Sequence, residues 1–464
     1  MKLYDKKQID WNNLLFDNKA LFLLLLPIVV EQLLNSLMGM VDTMMVSTVG
    51  SEAISAVSLV DSVNNLVIQI FSAMASGAAI ICSQYIGSGN EKESNKAARQ
   101  VVLSVFVISF SIMGFCLLGG ERLLRLIFGA VEKPVMENAI VYFIITVLSY
   151  PFLALFSAGA AFYRASGNAR FPMKVSVISN ILNITGNAVF IYVFQWGAAG
   201  AALSTLLSRV FCTVVVFYCL RKPRQTIVVK DYLKIRPDMP LIVKIMAIGI
   251  PSGIENGMFQ FGKLAIQSTV STMGTMAIAA QAMTNILENV NGIVGIGVGI
   301  GLMTVAGQCI GAGRKEETKY YIVKLTKIAW VGILISCLFV LAITKPVTWL
   351  AGMDPEAAEL CFEMVTAITI AKPIFWVGSF VIAYGLRAAG DVKFSMMVSV
   401  ITMWGCRVAL CIFLVRRFDF GPMAVWIGMF ADWGVRSVIF TWRFLSDKWI
   451  HADFLIKNRS ANHV

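Results

Sequence analysis

Long apolar blocks, interrupted by charged residues and by glycine or proline, dominate this chain. They cover residues 18–46, 53–84, 97–118, 137–164, 170–193 and 198–220, then 242–271, 277–308, 322–344, 358–386, 393–416 and 421–446. A helix needs about 20 apolar residues to cross the hydrocarbon core of a bilayer. Each block therefore predicts one transmembrane helix, twelve in all. Several blocks exceed the minimum length, which predicts tilting, kinking at an internal proline or protrusion into water.

The polar and glycine positions repeat. Pro27 and Glu31 recur 224 residues on as Pro251 and Glu255, Gln84, Gly87 and Gly89 as Gln308, Gly311 and Gly313, and Gly197 as Gly421. YRASGNARF (163–171) returns as LRAAGDVKF (386–394), one residue out of step. Residues 19–220 are thus repeated by 243–446. The expected fold is an all-α membrane protein with twelve transmembrane helices in two pseudo-symmetric six-helix lobes. Residues 1–220 form the first lobe, 221–241 a cytoplasmic connection, 242–446 the second lobe and 447–464 a cytoplasmic tail. Internal repeats in an apolar chain point to a transporter that handles substrate between or inside its lobes.

Composition agrees. The chain is 58% hydrophobic and 14% charged, with mean hydropathy +0.75, outside the range of a soluble globular domain. The polar segment 1–17 precedes an apolar run too long for a cleavable signal peptide. A net charge of +12 raises the question of nucleic acid, but the basic residues sort by side of the membrane. Lys2, Lys6, Lys7, Lys19, Lys92, Lys96, Arg99, Arg164, Arg170, Lys174, Arg221, Lys222, Arg224, Lys230, Lys234, Arg236 and Lys244 fall on inner segments. So do Arg314, Lys315, Lys319, Lys324, Lys327, Arg387, Lys393, Arg443, Lys448, Lys457 and Arg459. Outer loops hold Arg122, Arg125, Lys133, Lys345, Arg416 and Arg417. The bias predicts both termini in the cytoplasm of a cell that carries this protein in its plasma or inner membrane, and no nucleic-acid partner.

Enzyme chemistry finds no footing. The nine cysteines show no paired extracellular spacing and no metal-type CxxC, the two histidines, His451 and His463, lie in the tail, and no GxSxG elbow occurs. The GSG and GAG pieces after Gln84 and Gln308 lack the strand–helix setting of a phosphate cradle and read as helix-ending turns.

Pro27 with Glu31, MVDTMMVSTVG (40–50), the two GxG loops, RASGNARFPM (164–173), the Asn180/Asn183 stretch, GAAGAALST (197–205) and ADWGVRSVIFTWRFLSDKW (431–449) together resemble the multidrug and toxic compound extrusion (MATE) transporters, over essentially the whole chain. The resemblance implies two lobes in a V, alternating access, and export of small-molecule organic cations in exchange for Na⁺ or H⁺, with no cofactor. A monomer surrounded by membrane lipid is expected. A flippase for an amphipathic lipid-linked molecule is the alternative. A membrane-embedded enzyme is a third reading without a constellation to support it.

Each intramembrane charge costs roughly 2.5–3.5 kcal/mol unless paired or hydrated, so each is a candidate. Asp42 matches the first-helix acid of the resembled family. Glu31 precedes it by eleven residues, about three turns, which returns to nearly the same face. A structural alternative leaves Asp42 as a helix-end cap or satisfied by hydroxyls. Glu31 and Glu255 each follow a proline by four residues, and either bind the backbone groups freed by the kink or serve function. Asn180, Asn183 and Asn187 share a helix face at i, i+3, i+7, with Thr205 on the next helix. With Asp42 they offer a Na⁺ site of oxygen donors (Asp42, Asn183, Asn187, Thr205), a network that tunes the carboxyl group, or plain interhelical hydrogen bonds. The resemblance usually places a second acid at position 187, and this chain has asparagine there.

The second lobe differs. It holds Glu255, Glu288 and Asp432 against Lys263, Lys372, Arg407 and Arg436. Asp432 and Arg436, at i, i+4, predict a local ion pair. Lys372 needs an interior partner, Glu255 or Glu288, while Lys263 and Arg407 have no partner readable from sequence. In some branches of the resembled family, acids on the seventh and tenth helices hold a cation. Here the tenth offers Lys372, which favours ion coupling in the first lobe. The 23 methionines and 30 phenylalanines suit a pliable drug cavity, without nominating any one of them.

Overall fold

The computed structural model describes residues 3–129, 132–223, 225–230, 232, 235–418 and 420–450. Lys2, Arg224, Lys234, Lys457, Arg459, both histidines and the tail beyond residue 450 lie outside them. Among the described residues the regular structure is helical throughout, with no strand. Fifteen α-helices follow in order: α1 Asn18–Ser47, α2 Ser51–Gly87, α3 Glu91–Phe128, α4 Lys133–Leu148, α5 Tyr150–Ala165, α6 Arg170–Asn187 and α7 Gly197–Leu220. Then come α8 Met239–Val270, α9 Thr275–Gly311, α10 Lys315–Leu350, α11 Pro355–Ala371, α12 Val377–Ala388, α13 Val392–Thr402, α14 Leu410–Phe418 and α15 Met423–Leu445. Eleven spans are long and apolar enough to cross a membrane, and the bent pair α4–α5 makes twelve.

Proline explains where expected single spans divide. Block 137–164 becomes α4 and α5, which meet at 42° around Ser149, just before Tyr150 and Pro151. At the matching place in the second repeat, Lys372 and Pro373 open a π-helical turn, Lys372–Trp376, between α11 and α12. A proline cannot donate to the preceding turn, and the ladder yields by breaking in one repeat and by widening in the other. Block 393–416 contains no proline and is nevertheless split, by a π-helical turn at Met403–Ala409.

Several helices overrun their apolar blocks. α3 begins at Glu91 and α10 at Lys315, where Glu91, Glu93, Glu316 and Glu317 occupy the first turns and complement the positive end of each helix. The GxG pieces are helix-ending turns as expected, with Gly89 at φ 72° and Gly313 at φ 76°. Asn90 and Arg314 N–H groups reach back to the Tyr85 and Cys309 carbonyls at 3.1 and 2.9 Å, closing the same turn twice.

The described residues of Met1–Val29 and Ile254–Val464 form one compact unit, and those of Val30–Gly253 the other. The boundaries fall just after Pro27 and Pro251, inside α1 and α8, so the first stretch of each helix belongs to the unit built from the other repeat. The partition expected at 220/242 follows the repeat, whereas the packing follows the two proline-bearing helices. Glycine admits both stretches. A Cβ on Gly301 of α9 would lie 2.3 Å from Leu25, and one on Gly297 would lie 2.6 Å from the Val29 side chain and 3.0 Å from its Cα. In the other unit a Cβ on Gly77 of α2 would lie 3.3 Å from the Gly249 nitrogen.

The segments leading into α1 and α8 are pinned in parallel fashion. Within the carboxy-terminal unit, Leu15 N–H donates to Glu317 at 2.7 Å and the Tyr321 hydroxyl donates to the Phe16 carbonyl at 2.6 Å, both on α10. Within the amino-terminal unit, Asn95 on α3 accepts from Val228 N–H at 2.8 Å, and Lys96 pairs with Asp238 at 2.6 Å.

Gly297→Val forces a side chain against α1 backbone, and overpacking of this kind costs about 1–3 kcal/mol. Its thermal unfolding midpoint in detergent should fall by several degrees, while Gly114→Val, which meets nothing within 4 Å, should not. Equal midpoints for the two variants would contradict this close approach.

Candidate functional site

Within the amino-terminal unit, α1, α6 and α7 bring Asp42, Asn183, Asn187 and Thr205 together. The Asn187 amide donates to Asp42 Oδ1 at 2.6 Å and to Asn183 Oδ1 at 3.3 Å, and the Asn183 amide donates to Thr205 Oγ1 at 3.2 Å. Asn187 is fully buried, and its Oδ1 has no hydrogen-bond partner. A single glycine makes the cluster possible, because a Cβ on Gly186 would lie 2.4 Å from Ser204 Oγ. Without one, α6 and α7 approach closely enough for Ser204 Oγ to donate to the Asn183 carbonyl at 2.7 Å. Asn180 is half-buried, on the same helix, and joins no side-chain hydrogen bond of the cluster.

A second polar chain in this unit involves residues that sequence reading did not nominate. Asp61 on α2 accepts from Asn64 at 3.1 Å and from the Tyr142 hydroxyl at 3.3 Å. The Tyr150 hydroxyl donates to Asn64 Oδ1 at 2.8 Å, and Arg209 on α7 donates to Ser149 Oγ at 2.6 Å. Among the described residues, neither Asp42, Asp61 nor Arg209 has an ion-pair partner within 4 Å.

Glu31 does not join Asp42. It is buried and pairs with Arg164 at 3.2 Å, and its repeat counterpart Glu255 pairs with Arg387 at 2.6 Å. Eleven residues return Asp42 to the face of Glu31, but also place it about 16 Å further along the axis at 1.5 Å per residue. Sharing a face is not sharing a site. In this geometry each glutamate closes an ion pair with an arginine, a partner that its spacing from proline did not predict.

In the carboxy-terminal unit the partner of Lys372 is Glu288, at 2.5 Å, and not Glu255. Lys372 Nζ also donates to the Glu288 carbonyl at 3.0 Å and to Asn291 Oδ1. Asp432 takes Arg436 through both oxygens, at 2.9 and 2.7 Å, as the i, i+4 spacing predicts, and also Arg407 at 2.6 Å. Lys263 lies over the Phe259 ring at 5.1 Å. The Glu288–Lys372 pair stands where the other repeat has Asn64–Tyr150: Glu288 follows Asn64 by 224 residues, and the KP dipeptide follows YP by 222, two residues short of that register. One joint between a bent or widened helix and its neighbour is neutral in the first repeat and ionic in the second.

The sequence profile of the MatE family matches residues 27–189 and again 251–413. The chain belongs to the MATE transporter family. The two matches are displaced by 224 residues, the spacing of the internal repeat. Among relatives of this MATE chain, the uncharacterized transporter YisQ of Bacillus subtilis is 28% identical over 93% of this chain and 95% of its own length. The probable multidrug resistance protein NorM of Thermotoga maritima is 27% identical over 95% of each. The fold is shared with an outward-facing multidrug resistance MATE transporter of the MOP superfamily, at TM-score 0.86 and 20% identity over 92% of this chain and 96% of the other. It is shared also with a Pyrococcus furiosus MOP-superfamily transporter whose description reports a binding pocket of reverse polarity, at TM-score 0.85 and 21% identity over 92% and 95%. The protein is a multi-pass membrane transporter and not an enzyme.

Sequence reading of this MATE protein missed Asp61, Arg209 and the arginines of the Glu31 and Glu255 pairs. Asp61 and Asn64, at i, i+3 within an apolar span, were a readable signal. Arg164 and Arg387 were counted for topology alone, and nothing local links either to a glutamate more than a hundred residues away.

Removing one member of a buried ion pair costs about 3–5 kcal/mol, because the other charge is left uncompensated. Glu31→Gln and Arg164→Gln should each lower the thermal midpoint markedly, and the charge swap of both residues should regain part of the loss. A swapped double variant no more stable than the sum of the single variants would show that the pair does not contribute as a pair.

Proposed function

We propose that this MATE transporter is a secondary-active multidrug exporter that exchanges lipophilic organic cations for Na⁺ or H⁺ by alternating access, with coupling at Asp42. The observation that carries the reading is the Asp42 cluster: a carboxylate inside a membrane span, answered by the neutral Asn187 amide and by no cation within 4 Å among the described residues. An intramembrane acid held this way is ready to take a proton or a metal cation. Relatives from Thermotoga maritima and Bacillus subtilis are probable multidrug resistance proteins, which supports the cargo class.

The donor set suits a hard monovalent cation. Asp42, the Asn183 and Asn187 amide oxygens and Thr205 Oγ1 are all oxygen donors. Asn187 now turns its NH₂ toward Asp42 and leaves Oδ1 unpartnered. Rotating the amide exchanges those roles and presents Oδ1 beside the carboxylate, so one side chain serves both the loaded and the unloaded site. A proton on Asp42 needs a smaller change, since a protonated carboxyl can donate to Asn183 or to a turned Asn187.

Energetics constrain the cycle. One charge moving through 100 mV corresponds to about 2.3 kcal/mol, so export of a monovalent cation against an inside-negative potential cancels the electrical help of one entering ion. Net electrical drive needs a second ion. Glu31 is compensated by Arg164, which leaves Asp61, held by Asn64 and Tyr142, as the further acid of this unit. The one-sided Lys/Arg distribution supports placement in the plasma or inner membrane with both termini cytoplasmic.

Asp42→Asn preserves size but neither releases a proton nor neutralises Na⁺. It should abolish efflux of tetraphenylphosphonium or ethidium from drug-sensitive cells while the protein stays in the membrane. Unchanged efflux at equal expression would remove Asp42 from the coupling site. Asn187→Asp adds a second carboxylate and should shift the Na⁺ or pH dependence of efflux, with maximal efflux level or lower, because turnover needs different affinities in the two conformations and not the highest affinity in either. Identical Na⁺ and pH profiles for parent and variant would move coupling elsewhere. For topology, a cysteine at position 230 in a background without reactive cysteines should resist an impermeant thiol reagent in intact cells and react after permeabilisation.

A further inference from the structure

The carboxy-terminal unit carries more positive charge in its spans than it neutralises. Its mid-span charges include Lys263, Lys372, Arg407 and Arg436 against Glu288 and Asp432. Glu288 is engaged by Lys372, and Asp432 already accepts from both nitrogens of the Arg436 fork. Arg407 shares that second carboxylate. It is 2% exposed, and its Nε has no hydrogen-bond partner. Lys263 is exposed and has no carboxylate within 4 Å among the described residues. Both surplus cations lie over the same ring, Lys263 Nζ at 5.1 Å and the Arg407 guanidinium at 4.9 Å from the centre of Phe259.

Two like charges on one aromatic ring repel across a medium that screens poorly, and the ring's quadrupole offsets only part of this. The backbone is shaped to keep Arg407 there. It stands on the π-helical turn Met403–Ala409, and a Cβ on Gly428 of α15 would lie 2.7 Å from the Arg407 carbonyl oxygen, so only glycine admits that turn. Such turns are enriched at functional positions, and intramembrane cations without a full complement of acids mark ligand or ion sites.

The geometry points to an anion-binding subsite formed by Lys263 and Arg407 at Phe259, which receives the carboxylate, sulfonate or phosphate group of an amphipathic molecule. The guanidinium supplies a directional fork, the ammonium a mobile point charge, and the phenylalanine an apolar face for the body of the ligand. This deepens the exporter reading by giving the cargo an acidic group in addition to its lipophilic or cationic part. An aromatic acid and an anionic lipid headgroup present the same chemistry.

The test is titration calorimetry of the purified full-length protein in a non-ionic detergent, with naphthalene-2-sulfonate, short-chain phosphatidylglycerol and uncharged 2-naphthol as probes. The sulfonate or the lipid should bind more tightly than naphthol. Lys263→Gln should weaken that binding about tenfold, since one charged contact of a pair is lost. Arg407→Lys keeps the charge and guards against misfolding, yet should also weaken it through loss of the fork. Lys345→Gln, which removes another lysine over a phenylalanine, Phe362, should change nothing. Preference for the sulfonate assigns an aromatic acid, and preference for the lipid assigns a headgroup phosphate. Equal binding of sulfonate, lipid and naphthol, or affinities unaltered by Lys263→Gln and Arg407→Lys, would overturn the subsite. Tetraphenylphosphonium efflux by the parent protein reports on the exporter reading separately, because that probe has no anionic group.

Discussion

A charge inside hydrocarbon must be answered by another charge, by hydrogen bonds or by water, and this requirement organises the interior of both units. Most internal charges are answered by a partner of opposite charge. Glu31 has Arg164, Glu255 has Arg387, Lys372 has Glu288 with Asn291, and Asp432 has Arg436. The first three join α1 to α5, α8 to α12 and α9 to the turn after α11, and the fourth lies within α15. What remains is a short set: Asp42, Asp61 and Arg209, answered by neutral groups, and Lys263 with the surplus of Arg407. Function in a transporter needs groups whose partners can change during a cycle, and the coupling and binding proposals above rest on the set left over after this pairing.

The internal repeat sharpens the same point, because it shows one backbone solution carrying two chemistries. The pairs Glu31–Arg164 and Glu255–Arg387 are kept in both repeats, and so are the GxG turns and the glycines that admit α1 and α8. The joint after α4 and after α11 is not kept. It is a tyrosine–asparagine bond in one unit and a lysine–glutamate pair in the other. Features held in common serve the shared architecture. Features that diverge set the units apart chemically, with acids answered by neutral groups in one unit and surplus bases in the other.

Much of this was legible in the sequence, for identifiable reasons. Apolar length fixes a membrane span, and the twelve-span count followed with α4–α5 as the bent one. The Asp432–Arg436 pair was readable because i, i+4 is a local rule. The Asn183, Asn187 and Thr205 cluster was readable from helix periodicity together with the family resemblance. Partners across long chain separations were not. Nothing in the spacing says that Glu31 meets Arg164, and periodicity alone misled by treating angular position on α1 as proximity to Asp42. The unit boundaries were missed for a related reason. A sequence repeat records how the chain was duplicated, whereas packing decides which unit receives the stretches of α1 and α8 before their prolines.

Asparagine at position 187 ties these threads together. An acid there would leave two carboxylates side by side, which favours tight cation binding but also requires that charge be neutralised whenever the ion departs. An amide avoids that cost. Its NH₂ satisfies Asp42, while its Oδ1 remains buried and unpartnered, a price of about 1–3 kcal/mol for a polar atom removed from water. That unmet acceptor is a stored bias toward any arrangement in which it gains a cation or a donor. In the exchange proposed above, loading would relieve that cost, and the missing second carboxylate narrows the free-energy gap between loaded and empty states relative to a carboxylate pair. A transporter gains from that narrowing, because an ion bound too tightly in one conformation is released too slowly in the other.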